Sequence, residues 1–290
     1  MDTEERLDVG LVRRAMARSR RHAVELIDAG RVTVDGVAVT KASTITRHDQ
    51  VIVVESDDRD PGYASRAGHK LAGALDELER RWGTRAPDPR GRVCLDAGAS
   101  TGGFTDVLLR RGARHVAAVD VGHDQLLPTL RADPRVEVRD GVNVRMLAAG
   151  DLDPAPTLVV ADLSFISLTL VMPALRSAAA PSADLLLMVK PQFEVGRERL
   201  GSTGVVRSAA LRHEAVTAVA RAAVQVGLEP LDAVTSPLPG PSGNVEYFLW
   251  LKERVSVSAD DGRGDDAIRA IVERGIEGSC AVARTSKDDA

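Results

Sequence analysis

The stretch that most constrains this chain is Val93-Cys-Leu-Asp-Ala-Gly-Ala-Ser-Thr-Gly-Gly-Phe104. A short apolar run, Val93 to Leu95, ends in an acid, Asp96. A turn with Gly98, Ser100, Gly102 and Gly103 follows, then the helical pattern Phe104, Val107, Leu108. Such a passage predicts a buried parallel strand that hands over to a helix through a backbone a ligand can approach closely. A nucleotide-like cofactor across the turn is the natural inference, and a ligand-free glycine turn is the bland alternative. The dinucleotide fingerprint G-x-G-x-x-G would need glycine at position 100, where this chain has Ser100.

The rest of the chain decides between these readings. From Val93 onward apolar strand patterns alternate with helical ones, which predicts a doubly wound, mostly parallel α/β sheet. The expected strands are His115 to Val121, Val136 to Arg139, Thr157 to Ala161, Leu185 to Val189, one near Leu231 to Val234, and Val245 to Leu251. The apolar window from Leu158 to Leu175 contains Asp162 and several Ser and Thr and ends around Pro173, so it reads as a buried strand followed by a helix and not as a membrane span. Asp120, twenty-two residues after Gly98, stands at the tip of the second strand, where a carboxylate accepts hydrogen bonds from ribose hydroxyls. Asp140 or Asn143, after the third strand, could read an adenine edge or simply form a solvent-facing turn. An acid at the strand end followed by separated glycines looks like S-adenosylmethionine-dependent methyltransferases. The expected cofactor is therefore S-adenosylmethionine, with Asp96, Gly98, Ala99, Ser100, Thr101, Gly102, Gly103, Phe104, Asp120, Val121, Asp140 and Asn143 as its candidate contacts.

Ahead of this region, residues 1–55 form a self-contained unit: two helical patterns, then Val32 to Val34 and Val37 to Val39 around Asp35-Gly36, a hairpin signal, and a closing strand from Val51 to Val54. Residues 13–21 hold Arg13, Arg14, Arg18, Arg20 and Arg21, and residues 6–50 carry nine Lys/Arg against five Asp/Glu. The whole chain has a net charge of -4, so attraction to nucleic acid must come from such a local patch. Residues 56–65, acidic with Pro61-Gly62, read as a linker. The catalytic unit spans 66–253 and opens with a helix to about Trp82. Residues 254–290, rich in Ser, Asp, Gly and Arg, read as a mobile tail with at most one helix from Asp265 to Gly275.

The two cysteines, Cys94 and Cys280, make neither a disulfide framework nor a metal site, and no metal is expected. The acidic amino terminus shows no secretory signal, so the expected location is the cytoplasm; the oligomeric state stays open in the sequence, with a monomer favoured.

Four charged residues stand where chemistry is expected. Asp162 and Lys190 end the fourth and fifth strands, Lys70 lies on the helix before the sheet, and Glu246 follows the turn Pro239-Gly240-Pro241-Ser242-Gly243. A Lys-Asp-Lys-Glu set suits methyl transfer to a hydroxyl, with Lys190 as base or orienter, Asp162 holding it, and Lys70 with Glu246 completing the network. Amino-methylating enzymes often carry Asn/Asp-Pro-Pro-aromatic where this chain has Asp162-Leu163-Ser164-Phe165, which favours oxygen as acceptor. The basic, Gly-rich stretch after Lys190, through Glu194, Arg197 and Arg199 to Arg207, reads either as a flexible lid or as a surface connection.

Two resemblances follow from these residues. Arg6-Leu7-Asp8, Ser19-Arg20, Ala29-Gly30, Val34-Asp35-Gly36 and Lys41 resemble the small RNA-binding domain of the S-four type. Lys70, Asp162, Lys190 and Glu246 match in order the catalytic tetrad of FtsJ-type ribose 2′-O-methyltransferases. With Ser65-Arg66-x-Gly68-x-Lys70-Leu71, Lys190-Pro191-Gln192-Phe193-Glu194 and Gly243-Asn244-x-Glu246-Tyr247, nearly the whole chain resembles the TlyA, or haemolysin A-like, family. Ala64 and Ala67 depart from its usual pattern. The resemblance implies methylation of cytidine 2′-hydroxyls in small- and large-subunit ribosomal RNA, and with it sensitivity to cyclic-peptide ribosome antibiotics. The RNA-facing candidates are Arg6, Arg18, Arg20, Lys41, Arg66, Arg197 and Arg199. The rival functions are a membrane-active haemolysin and a small-molecule O-methyltransferase.

Overall fold

The structure is a computed structural model, and it describes residues 4–14, 16–17, 20–55, 61–201, 203–253 and 263–285. The chain divides into two compact units, Met1–Ser65 and Arg66–Ala290.

In the first unit β1 (Glu5–Arg6) leads into α1 (Leu7–Arg13) and α2 (Arg20–Asp28), followed by β2 (Val32–Val34), β3 (Val37–Ala38), β4 (Ile45–Thr46) and β5 (Ile52–Val54). The hairpin forms as its sequence demands: Val34 pairs with Val37, and Asp35 and Gly36 take φ of 52° and 79°. The Asp35 carboxylate then accepts from the Val51 N–H at 2.9 Å, which ties the turn to the strand that closes the sheet. Leu7, Leu11, Leu26, Ile27, Val32 and Ile52 fill this unit's own core.

The second unit opens with α3 (Arg66–Trp82), whose Leu71, Ala74, Leu75 and Leu78 share the buried face at helical spacing. Its far end is locked: Trp82 Nε1 donates to Asp232 at 2.8 Å, and the indole packs edge-on to Trp250 at 5.3 Å. Then come β6 (Val93–Ala97), α4 (Gly103–Arg110), β7 (His115–Asp120), α5 (Pro128–Arg131), β8 (Val136–Asp140), β9 (Leu158–Ala161), α6 (Leu168–Ala178), β10 (Asp184–Val189), α7 (Pro191–Glu194), α8 (Ala209–Gln225), β11 (Leu228–Thr235), β12 (Tyr247–Glu253) and α9 (Arg263–Thr285). The sheet order is β11-β12-β10-β9-β6-β7-β8. All pairs are parallel except those of β12, which runs antiparallel to β10 and β11. The winding reverses between β6 and β9, so the crevice of this sheet opens beyond the carboxyl ends of those two strands.

The helix α6 runs through Pro173 to Ala178; proline gives up one helical hydrogen bond, and burial of Val171, Met172 and Leu175 outweighs that loss. Two expectations are corrected here. The tail is not peripheral over its described part. In α9, Ile268, Ile271 and Val272 recur at helical spacing and are buried in the main core, a pattern that the polar residues around them hide in the sequence. Glu246 lies just before the last strand, not within it, because β12 begins at Tyr247. Cys94 is a buried core residue as expected, and burial pushes its thiol up to about 12.

Candidate active site

The turn after β6 depends on two glycines that no other residue replaces without disturbance. Gly98 has φ 87°, and a Cβ there would stand 2.8 Å from the carbonyl oxygen of Asp162. Gly102 has φ 95°, and a Cβ would run into Leu126 and Leu130. Between them Ser100 is exposed and left-handed at φ 48°, and its N–H donates to Asp120 Oδ2 at 2.8 Å. The other oxygen of Asp120 accepts from the Gly122 N–H at 2.7 Å. The carboxylate expected to meet ribose hydroxyls is thus fixed by backbone donors from both sides. Next to it the side chain of Val121 is 70% exposed, an apolar surface at a strand tip.

Asp96 beneath the turn is fully buried, with Oδ2 accepting from Thr105 Oγ1 at 2.7 Å and Oδ1 without a hydrogen-bond partner. Burial pushes its carboxyl up to about 7, and the nearby Asp162 charge adds to this.

Around the mouth of the same crevice lie two ion pairs. Lys70 Nζ meets Glu246 Oε2 at 2.5 Å, with both side chains buried. Lys190 Nζ meets Asp162 Oδ1 at 2.5 Å without the alignment of a hydrogen bond, and donates instead to Ser164 Oγ at 3.0 Å. The four residues expected from the sequence therefore come together as Lys70–Glu246 and Lys190–Asp162. Each pair is brought together by the fold: α3 and the turn before β12 for the first, the ends of β9 and β10 for the second.

Sequence reasoning missed four participants. Gln192 donates from Nε2 to Glu246 Oε1 at 3.4 Å, which links the pairs through the chain just past Lys190. Glu194 accepts from Ser167 Oγ at 2.6 Å and from the Leu168 N–H at 2.9 Å. Phe165, 91% exposed and left-handed at φ 64°, lies with its ring centroid 5.3 Å from that of Phe193. A signal for them exists: all lie in the two runs Asp162 to Ser167 and Lys190 to Glu194.

Other candidates are placed differently from the expectation. The Phe104 ring is buried against Phe248 at 5.9 Å, so only its backbone borders the turn. Asp140 is held by Arg131 Nη2 at 2.6 Å, and Asn143 Oδ1 caps the short turn that follows by accepting from the Arg145 N–H at 3.0 Å. Both expected adenine readers thus already hold partners. Ala99 is buried. Thr101 and Gly103 complete the turn into α4, with the Thr101 carbonyl accepting from the Leu127 N–H.

The arginines of the first unit are also partly committed. Arg6 and Arg20 share the buried carboxylate of Asp8, at 2.9 Å each, and these guanidiniums hold its carboxyl down at about 2. Arg13 pairs with Glu5, and Arg14 donates to the carbonyls of Arg47, His48 and Gln50. Arg6 and Arg20 keep 47% and 63% of their side chains exposed, so their outer faces remain available. Lys41 is exposed, and Arg18 lies outside the described residues. In the second unit Arg66 is half-buried and Arg197 exposed, while Arg199 is drawn to Glu214 at 2.6 Å and to the Val195 carbonyl. The stretch after Lys190 is anchored at its far end as well: Asn244 accepts from the Val206 N–H and donates to the Gly204 carbonyl. That anchoring departs from the freely flexible lid.

Among the described residues no group of His, Cys, Asp or Glu is arranged to hold a metal ion, and no helix is long and apolar enough to cross a membrane.

Fold and site together define a methyltransferase, and comparison with known proteins makes the class specific. The FtsJ-like methyltransferase family matches residues 63–253, and the S4 domain family matches residues 5–52. The 16S/23S rRNA (cytidine-2′-O)-methyltransferase TlyA of Mycobacterium tuberculosis is 47% identical over 93% of this chain and 98% of its own length. Hemolysin A of Brachyspira hyodysenteriae is 36% identical over 84% of this chain and 98% of its own. The solved structure of a Streptococcus thermophilus protein, given a provisional hemolysin name, superposes with a TM-score of 0.71 at 31% identity, covering 96% of this chain and 97% of that one. The chain is an FtsJ-like methyltransferase that carries an S4 domain ahead of its catalytic unit. Within that class it belongs to the TlyA family.

Proposed function

We propose that this enzyme transfers a methyl group from S-adenosylmethionine to cytidine 2′-hydroxyls of ribosomal RNA, in the cytoplasm and on ribosomal subunits. The observation that carries the reading is the double ion pair, Lys70–Glu246 and Lys190–Asp162, at the mouth of the crevice beside the glycine turn.

The residues present suit an adenosine cofactor. The turn between Gly98 and Gly102 is packed tightly from behind and exposes Ser100, Asp120 offers a fixed carboxylate to the ribose, and Val121 offers an apolar face to the base. When bound, S-adenosylmethionine supplies an electrophilic methyl on a sulfonium. The protein must align the incoming oxygen and take its proton. We assign that task to Lys190. Asp162 and Ser164 hold its Nζ at a fixed place, from which it acts on the target hydroxyl as base or orienter. Lys70 and Glu246 balance each other's charge inside the unit and, through Gln192, brace the turn that carries Lys190. Arg6, Arg20 and Lys41 of the S4 domain, with Arg66 and Arg197 of the catalytic unit, would meet the RNA backbone.

The test is transfer of labelled methyl to isolated ribosomal subunits, wild type beside Lys190→Ala. Label in RNA with the wild type and its loss in the variant is the expected result. No label in RNA, or equal labelling by the variant, would overturn the assignment. Leakage of liposomes by the nucleic-acid-free protein would favour the membrane-lytic alternative instead.

A further inference from the structure

The loop after β9 and the turn after β10 are joined at three points. At one end Lys190 donates to Ser164 and pairs with Asp162. In the middle the Phe165 and Phe193 rings meet at 5.3 Å. At the other end Glu194 reaches back to the start of α6, where its carboxylate accepts from Ser167 Oγ at 2.6 Å and from the Leu168 N–H at 2.9 Å. Ser167 is itself the cap of that helix, accepting from the Thr169 N–H at 3.2 Å. The spacing makes this a cross-brace. Lys190 precedes and Glu194 ends a single helical turn, α7, and their partners, Asp162 with Ser164 and Ser167 with Leu168, stand toward the two ends of the short run that carries Phe165.

From this geometry we infer that Glu194 is a positioning residue for methyl transfer: it fixes the loop that holds Lys190 in place. The inference rests on the role given to Lys190 above. The partners of Glu194 are Ser167 and Leu168, not the ion pairs or the glycine turn, so its effect passes through the loop. Phe165 is left-handed and almost wholly exposed, so its ring contact with Phe193 gains little from burial. Two charge-assisted bonds at a helix start supply what that ring does not. Burial raises the Glu194 carboxyl above the ordinary glutamate value, with the two donors opposing that rise, so the carboxylate stands in a largely dry site where its bonds are strong. An ordinary helix cap would be a serine or threonine alone, and Ser167 already fills that place.

The experiment compares Glu194→Ala, Glu194→Gln and Ser167→Ala with wild type on ribosomal subunits. It measures kcat and KM for methyl transfer, cofactor binding by calorimetry, thermal melting, and amide hydrogen exchange across residues 162–168. For Glu194→Ala kcat falls by up to about 10²-fold, as expected for a displaced reacting group. KM and cofactor affinity stay within about twofold, and exchange at 162–168 speeds up. Glu194→Gln keeps an acceptor for the Leu168 N–H and recovers most of kcat. Ser167→Ala removes one of the two bonds to Glu194 together with the cap bond from the Thr169 N–H, and falls between the two. Wild-type kcat in Glu194→Ala, or loss of cofactor binding together with kcat, would overturn the inference. So would unfolding of Glu194→Ala combined with full activity in Ser167→Ala. Should the wild type itself fail to label RNA, the proposed function fails; the exchange measurement then still reports on the brace alone.

Discussion

Lys70 and Glu246 lie 176 residues apart in the chain and meet in the interior as an ion pair of 2.5 Å. Burying two charges is expensive, and a pair that served only stability would be matched or exceeded by well-packed apolar side chains. Its link through Gln192 to the turn that carries Lys190 is the reason for proposing that it serves the chemistry and not stability alone.

Stability and activity are therefore separable at this pair. Glu246→Ala should destabilise the protein by about 3–5 kcal/mol, because Lys70 is left buried and unpaired. The double variant Lys70→Met with Glu246→Leu should recover most of that stability and none of the methyl transfer. Denaturant unfolding of the three proteins beside a methyl-transfer assay checks both halves. Recovery of activity in the double variant would remove the pair from the chemistry.

The shared carboxylate of Asp8 makes a second prediction. Arg6 and Arg20 are bonded to it on one side and exposed on the other, so each can meet a phosphate without breaking its intramolecular bond. Replacing either by alanine should weaken RNA binding at all sequences and reduce the slope of log affinity against log salt by about 1. Cofactor binding should be unchanged. A salt titration of RNA binding with each variant is the measurement. An unchanged slope would mean that these guanidiniums serve only to hold Asp8.

Asp96 gives a pH dependence whose sign is fixed by its environment. Its folded pKa is raised from the ordinary value of 3.8 to about 7, chiefly by burial. The folded state therefore favours the protonated carboxyl. The stability this gives is fully present below the unfolded pKa and is lost as pH rises through about 7. Asp96→Asn carries no such titration, so the stability of wild type relative to the variant should fall between about pH 4 and pH 7 and level off above. Urea midpoints of both proteins across that range report it, and parallel curves would refute it.

How much of this is legible in the sequence depends on where each signal lies. The strands of the second unit and α3 can be read closely, because strand and helix periods differ and each run is bounded by turn residues. Lys70, Asp162, Lys190 and Glu246 stand out because three of them close apolar strand runs or adjoin turns, and their order matches a known set. The pairing of Asp162 with Lys190 is legible because both end neighbouring strands, whereas Lys70 and Glu246 read only as members of the same network, and the fold makes them a pair. Glu194 and Gln192 are in view, but nothing local shows that their side chains turn back toward Ser167 and Glu246. The arginine cluster reads as one charged face, and the structure divides it: Asp8, Glu5 and the 47–50 carbonyls each take a share. A helix near Asp265 to Gly275 is legible, but its packing against the core is not, because its three buried aliphatic residues are scattered among charges.

The glycine turn supplies the last prediction, for Gly98→Ala. At φ 87° a side chain is strained before any neighbour is considered, which costs about 1–3 kcal/mol. The added Cβ would also stand 2.8 Å from the Asp162 carbonyl oxygen, which is backbone and has no rotamer to escape into. Relief requires either the turn or the start of the Asp162 loop to move. The first movement spoils the surface offered to the cofactor; the second shifts the carboxylate that holds Lys190. Gly98 thus couples the donor side of the crevice to the acceptor side through one close backbone approach. Gly98→Ala should therefore lower cofactor affinity and kcat together. Calorimetry with S-adenosylhomocysteine and methyl-transfer kinetics at saturating cofactor separate the two effects. Saturation that restores wild-type kcat would confine the role of Gly98 to binding the cofactor and sever the coupling.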